Sequence, residues 1–176
     1  MTRRSIATSS IALMFLIALV SWSHSDDNGL ITAQSHYSVK ETIARFEEAV
    51  KAKEALGFMV FTEIDHAAAA KKFGLDMRPR VVIVFGNPRL GTSVMKTTPL
   101  LAIDVPPKAL VWEDDEGKVW LTYNSAEYLG KTIYTRHGLP DPPSTPRLAA
   151  ALKDFADYAT EIKTADVSHA SQLSAG

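Results

Sequence analysis

Apolar positions recur along this chain with two different spacings. Val39, Ile43, Phe46 and Val50 are separated by four, three and four residues, the interval that puts side chains on one face of a helix. Leu148, Leu152, Phe155, Ala159 and Ile162 repeat the pattern near the other end. Ser38-Val39-Lys40-Glu41 before the first helix reads as a capping box, and Gly57 as its C′ stop. Thr145 and Pro146 open the second as N-cap and N1.

Between the helices the pattern shortens. Val81 to Phe85 is five consecutive apolar residues, β-branched or aromatic, which predicts a strand buried on both faces in the middle of a sheet. Phe58 to Ile64 predicts another, followed by a short helix over His66 to Phe73 with Asp65 as N-cap. Leu90 to Lys96 predicts a brief helix. Ala109 to Glu113 and Lys118 to Tyr123, joined by Asp114-Asp115-Glu116-Gly117, predict a hairpin with Trp112 facing Trp120. Asn124 or Ser125 caps a single helical turn ending at Leu129-Gly130. Two one-faced helices and four to five strands, several in hairpin order, give an α+β domain with an antiparallel sheet and both helices on one side. The other side of the sheet is left for loops, a partner chain or a ligand.

The ends of the chain add a compartment. Arg3 and Arg4, the apolar run Ile11 to Val20 and Ser21-Trp22-Ser23 have the three-part layout of a secretory signal cleaved after Ser23. The run falls short of the roughly 20 apolar residues of a membrane span. The expected organisation is therefore a signal over 1–23, a disordered lead-in over 24–34, one domain over 35–163 and a flexible tail over 164–176. His36-Tyr37-Ser38 is the candidate for a first strand. The expected location is periplasmic or secreted, with membrane contact only through an uncleaved signal.

Charge narrows the partners. Nineteen Lys and Arg stand against 20 Asp and Glu, and removing residues 1–23 leaves 17 against 20. That balance lacks the basic footprint of a nucleic-acid binder. With zero cysteines, disulfides, thiolate metal ligands and a cysteine nucleophile are excluded. No histidine spacing resembles a metal motif, so no metal or cofactor is expected.

Six residues are candidates for a ligand site. His66 beside Asp65 suggests a general base with a neighbouring carboxylate, against the plainer reading of a surface histidine after an ordinary N-cap. Asn87, Arg89 and Thr92 follow the apolar strand, where they can grip an anion or carbonyl, or Asn87 can stabilise its own turn. Gly86 and Gly91 have the spacing of a phosphate loop, but Thr92-Ser93 stands where Lys-Ser/Thr is required. Lys108 and Asp104 flank Pro106-Pro107 and can pair with each other or bind a polar group. His137, in Tyr134-Thr135-Arg136-His137-Gly138, reads as a loop residue.

Several of these stretches occur together in one family. Ile64-Asp65-His66-Ala67, Gly74-Leu75-Asp76-Met77-Arg78-Pro79, Phe85 to Thr92, Asp104 to Lys108, Leu110 to Asp114 and Tyr123-Asn124 resemble the domain of unknown function 302 family. The resemblance implies a TATA-binding-protein-like fold and a tendency to dimerise, and brings no established activity. The leading expectation is an exported homodimeric module that binds a small ligand or partner beside the Asn87 loop. A hydrolase or lyase using His66 as base, with Arg89 or Lys108 as electrostatic stabiliser, is the alternative. A purely structural, self-associating module is the third.

Overall fold

The computed structural model describes residues 23–25, 28–140, 142 and 145–161. Five strands of six or seven residues build one antiparallel sheet: β2 (Leu30–Ser35), β3 (Met59–Asp65), β4 (Arg80–Gly86), β5 (Lys108–Glu113) and β6 (Val119–Asn124). A three-residue strand, β1 (Ser23–Ser25), extends the sheet beyond β2, and the order across it is β1-β2-β6-β5-β4-β3. β4 is thus an interior strand, but β6 and β5 are the central pair. Nor is β4 buried on both faces as expected: its residues alternate between buried and half-buried, because no helix among the described residues packs on its second face. β3 is the outer edge on that side.

Two of the expected boundaries are corrected. Residues 30–34 are not a disordered lead-in: Leu30 to Ser35 pairs residue for residue with Asn124 to Val119. The strand also ends before His36-Tyr37-Ser38, so the domain begins upstream of residue 35. Its six residues are held by a partner about ninety positions away, which local patterning does not reveal. The expected cleavage position after Ser23 falls within β1, while residues 1–22 and the tail 164–176 lie outside the described residues.

The helices follow their sequence signals closely. α1 (Val39–Lys51) starts at Ser38, whose Oγ accepts from the Glu41 N–H at 3.3 Å. It ends sooner than Gly57: a 3₁₀ turn over Glu54–Leu56 intervenes, and Gly57, at φ 98°, closes that turn instead. α2 (His66–Lys71) and α3 (Pro88–Thr97) connect successive strands, and a second 3₁₀ turn spans Pro99–Ile103. Ser125 caps α4 (Ala126–Tyr128), but the chain does not stop at Gly130; it continues as a π-helical turn over Leu129–Tyr134. α5 (Thr145–Thr160) completes the domain.

α1 and α5 lie on one side of the sheet. Phe46 and Val50 of α1 and Leu152, Phe155 and Ala159 of α5 share a core with Ile83, Phe85, Val111 and Leu121. The aromatic rings meet edge to face, Phe46 and Phe85 at 5.1 Å and Phe58 and Phe155 at 5.4 Å. On the opposite face the register lines up Thr32, Thr122, Leu110, Val82 and Ile64 across five strands. Beside that row Trp112 and Trp120 face each other, their rings stacked at 6.2 Å. Among the described residues no helix covers this second face, and Val82, Leu110 and both tryptophans stay half-buried.

Candidate functional site

The six candidate residues divide between the two ends of β4. Asp65 pairs with Val81 at the start of β4, whereas Asn87 follows its last residue. Six residues of strand at about 3.3 Å each separate the ends by roughly 20 Å. His66 and Arg89 therefore cannot act on one atom. Lys108 is nearer but still distant, since it pairs with Val84, three residues along β4 and two strands across from β3. This geometry removes the electrostatic partners that the His66 general-base reading needs.

At the first end, Asp65 acts as a helix cap. Its Oδ1 accepts from the Ala68 N–H at 2.8 Å, and His66 follows as an exposed first residue of α2. No hydrogen bond joins the two among the described residues. Asp65 does, however, line a groove of about 510 Å³ between α1, β3 and α2. Its apolar wall comes from Val39, Ile43 and Val81, and its polar groups are Lys40, Glu47, Glu63 and Asp65. That size and lining suit a small molecule.

Glu47 and Glu63 interact across the groove wall. Burial first, and the hydrogen bond and charge of Glu63 second, hold the Glu47 carboxyl above the ordinary carboxylate range. The native state thus grips this proton more tightly than the unfolded chain does. Its contribution to stability is present in acid and is lost as pH rises through the raised native value. Glu47→Gln is therefore expected to stabilise the protein at neutral pH and to flatten its stability profile. Urea unfolding from about pH 4 to about pH 8, across the carboxylate range, measures this; an unchanged neutral midpoint would show that the pair carries no strain.

At the second end the loop residues are mostly spent on holding the fold. Asn87 caps α3 through Oδ1, which accepts from the Arg89 N–H at 3.1 Å, and its Nδ2 donates to the Leu56 carbonyl at 2.9 Å. It stabilises its own turn, as Asn commonly does. Arg89 and Thr92 stand exposed on α3. Lys108 bends back over its own approach, Nζ donating to the carbonyls of Asp104 at 3.4 Å and Pro106 at 3.2 Å.

Asp104 turns away from a pairing with the Lys108 side chain and toward a residue read from sequence as plain loop. His137 Nε2 lies 2.6 Å from Asp104 Oδ2, and Arg136 Nη1 lies 3.3 Å from the same carboxylate. The His137 hydrogen bond foremost, with the charges of Arg136 and Lys108, holds the Asp104 carboxyl below its ordinary range against the opposing effect of burial. Nothing local in the sequence joins positions 104 and 137. The π-helical turn before His137 makes the junction.

Neither end gathers three His, Asp or Glu side chains in a way that could hold a metal ion, among the described residues. The described helices also include none long and apolar enough to cross a membrane.

Comparison with known proteins agrees with the fold. The crystal structure of an uncharacterized conserved protein DUF302 from Bacillus stearothermophilus is similar with a TM-score of 0.60 at 20% identity, covering 74% of this chain and 98% of that one. The Fluoride-specific ion channel FluC 1 of Brucella suis biovar 1 is 47% identical over 113 residues, which are 64% of this chain and 42% of that protein. FluC 2 of Brucella melitensis biotype 1 matches at the same identity over 39% of its length. The chain thus spans about two fifths of the curated relatives it matches. The model of the Domain of unknown function DUF302 matches residues 31–156, from β2 into α5, and the chain belongs to that family.

Proposed function

We propose that this chain is an exported, homodimeric binding module whose ligand is a small amine, or another cation with an apolar body, held in the groove between α1 and β3. The observation that carries this reading is the Glu47–Glu63 carboxyl pair in a groove walled by Val39, Ile43 and Val81. Two neighbouring carboxyls repel when both are ionised, and an ammonium group placed between them relieves that repulsion while its hydrocarbon part covers the apolar wall. Of the six candidate residues, Asp65 belongs to this groove; the Asn87 loop does not.

Self-association is supported by the edge of the sheet. Met59, Phe61 and Ile64 of β3 are each more than 40% exposed, and Phe73 just beyond α2 is 83% exposed. An apolar edge strand beside a half-covered sheet face is a surface that proteins ordinarily protect by pairing. Export is supported by the basic, apolar and small-residue layout of residues 1–23. The match to only part of the fluoride-channel relatives supports a module able to stand beside other sequence; their transport is not carried over to this chain.

Native mass spectrometry of the chain from its own host reports oligomer and ligand together. Addition of butylamine is expected to give a dimer that retains the amine, with butyrate as the unretained counterpart. Glu63→Gln is expected to lower amine retention about tenfold, the loss of one charge-assisted contact. A monomer that retains neither would overturn the reading.

A further inference from the structure

We infer that the outer edge of β3 takes up an extended segment of another polypeptide as an added strand, with lysine or arginine at every second position and apolar residues between. The inference rests on the cation reading of the groove and names the form in which the ammonium group arrives.

β3 is the last strand of the sheet on its side, so alternate residues turn backbone N–H and C=O groups outward with no neighbouring strand to meet them. Met59 and residues 61–65 are exposed. The register sets what an added strand would face. Glu63 pairs with Ile83 and Asp65 with Val81, so both acids stand on the face that carries the core. Thr62 and Ile64, opposite Val84 and Val82, stand on the other. A bulge between Val60 and Thr62 interrupts the pairing, and the regular part of the edge is therefore 62–65. Side chains opposed across a strand pair lie about 5 Å apart. Every second residue of an added strand thus meets Glu63 or Asp65, and those between meet Thr62 or Ile64.

The same two acids line the groove, together with Glu47 and Lys40. Three carboxyl groups against one ammonium call for a further cation. Asp65 spends Oδ1 on the cap of α2 and has Oδ2 to offer. Because β3 is both the groove wall and the edge, a basic side chain on an added strand lies beside that wall and points toward Glu47. Its methylenes can then cover Val39 and Ile43.

The plain use of charge on an edge is to turn strands away. Glu63 and Asp65 do so for acidic strands and for a second β3, since antiparallel two-fold pairing sets core-face acids opposite core-face acids. A basic strand meets the opposite outcome: main-chain bonding supplies affinity, and the alternating side chains supply selectivity. Contact between copies, as proposed above, is then left to the second face, whose row ends at Ile64, and to Phe73.

Hydrogen exchange of the full chain tests this with a seven-residue peptide alternating lysine and valine, matched to the length of β3. At saturation it is expected to slow exchange at alternate amides of β3. A peptide of the same composition, with its lysines and valines in two blocks, is expected to bind about tenfold more weakly and to leave those amides exchanging. Glu63→Gln, at an exposed position, is expected to weaken the alternating peptide about tenfold. Unprotected β3 amides, equal affinity for the two peptides, or an affinity unchanged by Glu63→Gln each overturn the inference. Butylamine titrated in parallel reads the groove alone. If it is retained while the peptide leaves β3 unprotected, the added strand is wrong and the amine reading stands; if neither binds, both fall.

Discussion

Replacing Phe155 by alanine is expected to lower the unfolding free energy by about 3–5 kcal/mol, the usual cost of removing a buried phenyl group. Phe155 is 1% exposed, and its ring centroid lies 6.0 Å from that of Phe46, 5.4 Å from Phe58 and 6.1 Å from Phe85. Those rings belong to α1, to the segment entering β3, and to β4, so a single side chain ties α5 to three other parts of the domain. The cavity left by truncation cannot close without moving all of them. Phe155→Leu retains most of the volume and is expected to cost under about 1.5 kcal/mol. Urea unfolding measures both, with the midpoint falling and the slope unchanged. Equal losses for the two variants would show that the site tolerates collapse and that the ring contacts contribute little.

The second large effect is expected at Gly29, in the turn that leads into β2. Its φ of 82° lies where side chains are rarely tolerated, and a Cβ built there would sit 2.5–2.6 Å from Cδ2, Cβ and Cγ of Tyr128. The Tyr128 Cβ is fixed to the α4 backbone, so the ring cannot simply swing clear. Gly29 O also accepts from the Ser125 N–H at 2.8 Å, which holds the turn against the start of α4. Gly29→Ala therefore combines left-handed strain of about 1–2 kcal/mol with overpacking of about 1–3 kcal/mol. Gly117 is the control: its φ is 77°, and a Cβ there would meet nothing within 4 Å. Gly117→Ala should pay the strain alone, and the difference between the two midpoints isolates the contact with Tyr128. If the two lose the same stability, that contact is not limiting.

Features made by near neighbours in the chain were legible from the sequence. Ser38 and Asp65 are the caps that their positions suggested, because a side-chain cap bonds a backbone N–H two or three residues on. The β5–β6 hairpin and its facing tryptophans follow from a short acidic connection ending in Gly117. Asn87 follows the less functional of its two readings, a residue that stabilises its own turn. What escaped is what depends on distant partners. The strand Leu30–Ser35 is held by β6, and Asp104 meets His137 across 33 positions. The groove combines residues of α1 with residues of β3 and β4, and Glu47 in isolation reads as one more polar position on a helix. Asp104 and His137 were each visible as polar residues in irregular stretches; only the π-helical turn brings them together.

β2 also has a consequence for the order in which the domain can form. From β3 to β6 each strand pairs with the next, a meander whose contacts close over short lengths of chain. β2 must instead wait for Val119–Asn124, and closing so long a loop is repaid only when β6 is already in place. As the protein is synthesised, β2 and α1 emerge before the strands they pack on and remain without their sheet until most of the domain has followed. Changes in β2 should therefore speed unfolding and leave the folding rate nearly untouched, which places β2 among the last parts of the domain to lock.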